Sequence, residues 1–357
     1  MAGYVLQKLG YALLTLFGVV TVIFLLFTIL PGDPARMMLG QNESAEQIAV
    51  VKKKYGFDQP IGLQYLQYVN DLSPVSFHST QTGDYTYLAE DKYKAALLFT
   101  IYETQVVLKW PYLRESFQKN GKKVSAVISE TLPNTVVLAV SAITIAMILG
   151  VLLGIISVLF KDGWIDKLIQ LISTLGMSVP SFFSAIIFAW IFGFLLHEYT
   201  NLNMTGSLYA VDDFGEGTYI QWKNLILPAI VLGIRPLAVV SQLMRNSLLE
   251  VLNQDYIRTA KAKGLSFFTI IRRHALKNSL NPVVTAISGW FASMLAGAVF
   301  VEYIFGWNGL GKEIVDALNT LDLPIIMGAV IVIATLFILI NIFVDIIYGW
   351  LDPKISR

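Results

Sequence analysis

The chain has 357 residues, 55% apolar and only 14% charged, with a net charge of +1 and a mean hydropathy of +0.62. Soluble globular chains carry about 25% charged residues, so the deficit points to lipid, and the near-neutral balance gives no reason to invoke nucleic acid. The absence of cysteine excludes disulfides, thiolate metal sites and a cysteine nucleophile, and His78, His197 and His274 lie too far apart to form a metal-spaced pair.

A membrane-spanning helix needs about 20 mostly apolar residues. Residues 9–30 meet that requirement without a charge. The run leads into "FTILPGDPA" with no small-residue cleavage site, so it reads as an uncleaved first transmembrane helix. Residues 31–123 then read as an external segment forming a small helical domain. In "NESAEQIAVVKKKYG", Ser44 with Gln47 three residues on is a capping box, and Gly56 is a stop signal; together they predict a short amphipathic helix. "QPIGLQYLQYVNDL" predicts a second, with Pro60 in its first turn. "ALLFTIYETQVVLKW" is shorter than a span and carries Glu103 and Lys109, so it is expected to pack inside the external domain. The segment reads equally as a docking surface for a partner or as a covering lid.

Residues 124–357 hold the other span candidates. Stretches 131–160, 168–196, 278–301 and 323–344 are free of charge, whereas 224–244 is interrupted by Arg235 and Pro236. A charge at mid-membrane costs about 2.5–3.5 kcal/mol on insertion scales, which the surrounding Leu, Ile and Val offset. Pro236 removes one ladder hydrogen bond and predicts a bend. The expectation is an all-α polytopic membrane protein with six transmembrane helices: 1–30, an enlarged external segment 31–123, and a five-helix core 124–357. Loop 245–283 contains Arg245, Arg258, Lys261, Lys263, Arg272, Arg273 and Lys277, while the loops of the opposite face are acidic. The basic loop is therefore read as cytoplasmic, with both termini inside a plasma membrane.

"GWNGLGKE", residues 306–313, nearly matches a phosphate-binding loop, but Glu313 stands where a hydroxyl residue would hold Mg²⁺. No strand precedes it and it falls on the outer face, so the glycines are expected to make a tight turn capping a helix. Three charges within spans are candidates for a pathway or gate: Arg235, Glu302 and Asp345. The competing readings are an Arg235 paired with a carbonyl freed by Pro236, and acids wetted at the two interfaces.

In "NQDYIRTAKAKGLSFFTIIRRHALKNSLNPVV", Ile257, Ala260 and Gly264 are spaced for one helix face, Gly264 would end that helix, and Phe267, Phe268, Ile270 and Ile271 begin another apolar stripe. Two short helices meeting at a glycine corner are predicted. The small residues Ala260, Ala262 and Gly264 suit a groove on a partner, and the basic face suits anionic lipid headgroups; the residues alone leave both open.

This loop resembles the EAA loop of type I ABC importer permeases, with Arg258, Thr259, Ala260 and Gly264 in the marked places of "RTAKAKG". The whole chain resembles the dipeptide/oligopeptide/nickel permease family, through "LPGDPARMMLG", "YGFDQPIGLQYLQY", "ETLPNT", "DYIRTAKAKGL", "RHALKNSLNPVV", "VEYIFGWNGLGK" and "VDIIYGWLDPKI", in order along nearly its full length. The resemblance implies a bacterial inner-membrane permease subunit of an ATP-driven importer of di- or oligopeptides, with nickel or another small solute as the alternative. It implies a second homologous permease, two cytoplasmic ABC ATPases that carry ATP and Mg, and an extracytoplasmic substrate-binding protein. This chain would bind no cofactor or metal and catalyse nothing. An ATP-independent secondary transporter or channel is the rival class. The ATPase coupling loop would use Asp255, Tyr256, Arg258, Thr259, Ala260, Lys261, Lys263, Gly264, Leu265 and Phe267. Gly32, Asp33, Pro34, Trp307 and Asn308 are candidates for docking the binding protein. Three departures stand out. Arg258 replaces an acidic residue, His274, Leu276 and Lys277 stand where I-x-L-P is expected, and about 79–119 looks like an insertion.

Overall fold

The computed structural model describes residues 2–29, 33–39, 44–82, 84–89, 92–212 and 217–351. The chain forms two compact units, one from Met1–Glu130 with Ile314–Thr335, the other from Thr131–Glu313 with Leu336–Ile355.

The first unit begins with α1 (Ala2–Ile29) and the short α2 (Pro34–Leu39). Helix α3 (Ala45–Tyr55) starts on the predicted capping box: Ser44 Oγ accepts from the Gln47 amide at 3.3 Å, and Gln47 Oε1 accepts from the Ser44 amide at 3.2 Å. It stops at Gly56, whose φ of 72° is left-handed. In α4 (Ile61–Leu72), Pro60 sits one place earlier than predicted, at the N-cap. An apolar cluster joins α1 to α4 through Val20, Ile23, Phe24 and Tyr68, and Thr21 Oγ1 lies 2.6 Å from Tyr65 Oη.

Segment 31–123, expected to be external, is not wholly helical. Strands β1 (Val75–Ser79), β2 (Ala95–Ile101) and β3 (Thr104–Lys109) form an antiparallel sheet in the order β1-β3-β2. "ALLFTIYETQVVLKW" is thus a hairpin turning at Tyr102 and Glu103, which corrects the expectation of a small helical domain. Each arm is six or seven residues, too short for a helix to bury much, and rich in apolar and β-branched side chains. Asp71 ties the sheet to α4. Its carboxylate accepts from Tyr93 Oη at 2.9 Å and Arg114 Nε at 3.1 Å, while its carbonyl accepts from the Tyr112 amide at 2.8 Å and from Lys109 Nζ.

Burial pushes the Lys109 ammonium down to about 8 from 10.5, against the pull of the Asp71 carboxylate. Between those two values the unfolded chain binds more protons than the folded one, so stability rises with pH there. Raising the pH from ~8 to ~9.5 is expected to stabilise the external segment by about 2 kcal/mol. Thermal unfolding of the parent against Lys109→Met checks this: the variant lacks the increment.

In the rest of the chain, α5 (Val124–Leu159) runs unbroken through Pro133. The third predicted span is not one straight helix: α6 (Trp164–Ser178) and α7 (Ser181–Phe188), the latter prolonged by a π-helical stretch Ala189–Leu195, bend by 109° at Val179 and Pro180. Val179, held extended (φ −78°, ψ 131°) as residues before proline prefer, closes α6 by donating to the Leu175 carbonyl. After α8 (His197–Thr200) comes the two-stranded antiparallel pair β4 (Tyr209–Val211) and β5 (Thr218–Ile220). Helix α9 (Lys223–Leu252) contains Pro228 and Pro236 without interruption, where a bend at Pro236 was expected. Helices α10 (Asp255–Ala262), α11 (Phe267–Ile270), a π-helical turn Ile271–Ala275 and α12 (Leu276–Ser279) follow. The fifth predicted span is also bent, by 57° between α13 (Asn281–Gly297) and α14 (Val299–Phe305). Helices α15 (Leu310–Asn319) and α16 (Leu323–Leu351) end the described chain. Among the described residues, α1, α5, α9 and α16 are long and apolar enough to cross a membrane unbroken, and the total is six when each bent pair counts as one span.

Candidate functional site

Helix α10 leaves α9 after only Asn253 and Gln254 and buries one face. Ile257 and Ala260 lie in a cluster with Met244, Leu248, Leu252, Ile270, Ile271 and Ala275, so the short helix is seated on the end of α9. Gly264 then takes φ 77°, a left-handed conformation natural to glycine, and Ser266 caps α11 by accepting from the Thr269 amide. The predicted corner is present, but Gly264 lies beyond the helix rather than on its face. Every residue from 261 to 268 is exposed, including Lys261, Lys263, Leu265, Phe267 and Phe268. Asp255, Tyr256, Arg258 and Thr259 are exposed on the other side, with Arg258 paired to Asp255 at 3.3 Å and Tyr256 Oη accepting from Asn278 at 2.8 Å. Ala260 cannot enter a partner's groove, because its methyl faces inward to the cluster.

The turn at residues 306–312 has the opposite character. Gly306 closes α14 at φ 66°, and the first amides of α15 all find partners: Leu310 donates to Thr135 Oγ1 (2.8 Å), Gly311 and Lys312 to Glu302 Oε2 (2.7 and 3.1 Å). Helix N-terminal amides attract anions. Here the amides are taken by the chain's own Glu302 carboxyl group, which fills the cradle that a nucleotide phosphate would need. A Cβ on Gly311 would lie 2.6 Å from Val299 Cα, so the glycine spacing serves this close approach. Glu302 is fully buried, which corrects the reading of an acid wetted at an interface. Trp307 is also fully buried, its Nε1 donating to the Asn134 carbonyl at 3.0 Å, so its side chain is not a docking surface. Asn308 is exposed, with its backbone held by Asn134 and Ser207. Replacing Glu302 by alanine is expected to cost about 1–3 kcal/mol for each amide left unpaired, and glutamine, which keeps an acceptor oxygen, less. Thermal unfolding of the purified variants measures it.

Arg235 is exposed on α9 and donates to the Met177 carbonyl at 3.3 Å, an acceptor at the end of α6 rather than one freed by Pro236. Asp33 pairs with Lys52 at 2.6 Å and accepts from the Ala35 amide. Gly32 lies outside the described residues, as do the side chains of Pro34 and Asp345, although Pro34 opens α2 and Asp345 belongs to α16. The described residues hold no cluster of His, Asp and Glu suited to a metal.

Sequence reasoning missed one arrangement. Asp166, 1% exposed, takes a two-pronged contact from Arg245 (2.8 and 2.7 Å), with further hydrogen bonds from Ser157, Gln170 Nε2 (2.9 Å) and the Asp162 amide (3.0 Å). It fastens α5, α6 and α9 together just before α9 reaches the elbow. The sequence signal was only an acid three places into a helix and an arginine among many basic residues.

Residues 146–357 match the family described as binding-protein-dependent transport system inner membrane component, and residues 1–84 match its N-terminal region. The chain is 34% identical to a dipeptide transport system permease protein of Alkalihalophilus pseudofirmus, over all of both chains. It is 32% identical to a di/tripeptide transport system permease protein of Pseudomonas aeruginosa, over 100% of this chain and 99% of that one. Residues 85–145 lie between the two family matches, yet these alignments run through them. A crystal structure of an amino acid ABC transporter aligns at 16% identity and TM-score 0.44, covering 61% of this chain and 93% of its own.

Proposed function

The chain belongs to the family of binding-protein-dependent transport system inner membrane components, and on that premise we propose how it serves as a membrane-spanning permease subunit of an ABC importer of peptides. One of two ATPase subunits grips the elbow at residues 261–268 from the cytoplasm, and a second, similar permease completes the pathway. A substrate-binding protein delivers di- or oligopeptides from outside. The chain itself catalyses nothing, and ATP with Mg²⁺ stays on the partner subunits. The observation that carries this reading is the elbow's two-sidedness. Ile257 and Ala260 are sunk into the end of α9, while Lys261, Lys263, Leu265, Phe267 and Phe268 point away from it. Force applied to the exposed side passes through packed side chains into α9, which has no break to absorb it.

Mechanistically, closure of the ATPase pair displaces the elbow, and α9 carries that displacement to the pathway. Hydrolysis resets it. ATP shifts this two-state equilibrium only through its different affinity for the ATPase pair in the two states. Arg235, exposed on α9, is the side chain proposed to meet a peptide carboxylate along the way. Asp345 and Asn308 remain candidates for gate and docking roles on the inner and outer faces.

Sidedness tests the reading directly. The chain lacks cysteine, so Lys263→Cys and Asn308→Cys each carry a single reactive thiol. In intact cells an impermeant maleimide is expected to label position 308 and spare 263. Labelling of 263 from outside would overturn the orientation and the lever with it.

A further inference from the structure

We propose that a cleft of about 380 Å³ in the first unit, lined by Phe24, Phe27, Phe57, Phe117, Met327 and Arg114, binds a glycerophospholipid, one acyl chain among the rings and its phosphate against the guanidinium. Its volume lies within the roughly 300–1,000 Å³ usual for small-molecule sites.

Position is the first argument. Phe24, Phe27 and Thr28 belong to the last turns of the candidate span Gln7–Thr28, and Leu323, Pro324 and Met327 to the first turns of Leu323–Val344. Two apolar helices thus bring opposite ends to one cleft, which places it at a rim of the hydrocarbon layer, where lipid is the most abundant amphiphile.

The second argument is an uncommitted donor set. Arg114 spends Nε on Asp71 (3.1 Å) and lies over the Tyr68 ring, 5.0 Å from its centroid. Among the described residues its two terminal nitrogens have no acceptor, although only 22% of the side chain is exposed. A half-buried guanidinium whose free donors face the cleft matches the oxygens of a phosphate. Lys52 and Asp33 pair with each other at the same cleft, and Asp71 engages only Nε of Arg114, so the terminal guanidinium donors are the groups left for a phosphodiester.

A peptide fits less well. Its amides need neutral polar partners, and the donors of two such side chains in the lining are already engaged. Thr28 Oγ1 donates to the Phe24 carbonyl at 2.7 Å, and Gln64 Nε2 to the Gln59 carbonyl at 2.7 Å.

The experiment uses the assembled transporter purified from membranes. Native mass spectrometry is expected to show one tightly held phospholipid for each copy of this chain. Met327→Trp, which fills the cleft, should lower that occupancy at least tenfold. Because a filled cleft can impair folding, the unaltered transporter is also exposed to a phospholipid with a photoreactive acyl chain. Crosslinks should map to peptides containing Phe57, Phe117 or Met327, and should be competed by unlabelled phospholipid but not by dipeptide or inorganic phosphate. Crosslinks elsewhere, unchanged occupancy in a folded Met327→Trp transporter, or competition by dipeptide or by inorganic phosphate would each overturn the proposal.

Discussion

Replacing Gly264 with proline is expected to abolish peptide uptake while leaving the chain in the membrane. Gly264 sits at φ 77°, and proline is fixed near −65°, so the corner cannot keep its path. The amide that Gly264 donates to the Lys261 carbonyl at 2.9 Å also disappears. Lys263, at φ −77° and ψ 4°, would be driven towards extended geometry by the following ring. Strain of about 3 kcal/mol or more shifts the population of the native corner on the order of a hundredfold. The apolar spans contain none of these residues, so insertion should survive. Gly264→Ala, strained by about 1–2 kcal/mol, should be intermediate. Uptake of labelled dipeptide, measured beside ATP hydrolysis by the assembled transporter, separates the cases: hydrolysis that continues without uptake is the expected signature. Normal uptake in Gly264→Pro would remove the elbow from the coupling route.

The second large effect belongs to Asp166. Truncating it to alanine strands Arg245, whose side chain is 17% exposed, and takes the shared acceptor from Ser157, Gln170 and the Asp162 amide. Removing one partner of a buried ion pair costs about 3–5 kcal/mol, chiefly because the other charge remains without compensation. Lower yield and an earlier thermal transition of the purified subunit are the expected results. Combining Asp166→Leu with Arg245→Leu should recover most of the loss, since a pair of apolar residues carries no stranded charge. If Asp166→Ala melts with the parent, the fastening of α5, α6 and α9 does not rest on this pair. If the double variant is stable but transports poorly, the pair serves motion more than stability.

What proved legible in the sequence was local in its physics. Lipid demands length and apolarity from each segment by itself, so the spans at α1, α5, α9 and α16 could be read from hydropathy. Caps work over three or four residues, so Ser44, Gln47 and Gly56 announced α3, and Gly264 announced the elbow. The hairpin of the external segment was harder. Its apolar run suited either a strand or a short buried helix, and pairing of β3 with β1 and β2 decided the matter.

The prolines show the limit most plainly. Pro133, Pro228 and Pro236 lie inside unbroken helices, whereas Pro180 marks a 109° bend. Each lacks the amide; what differs is that Pro180 and Val179 before it are both extended, between two helices, whereas the other three stay inside helices. Likewise the sequence offered Glu302 as a charge near water, and only the fold showed it buried beneath the amides of α15. Asp166 and Arg245 lie 79 residues apart, with nothing local to join them. By itself, then, the sequence determined where the chain can cross lipid, where its short helices begin and stop, and which corner needs a glycine, because those costs fall on neighbouring residues. The tertiary structure decided which charges are buried, what pairs with them and which prolines bend, because those energies depend on groups that only folding brings together.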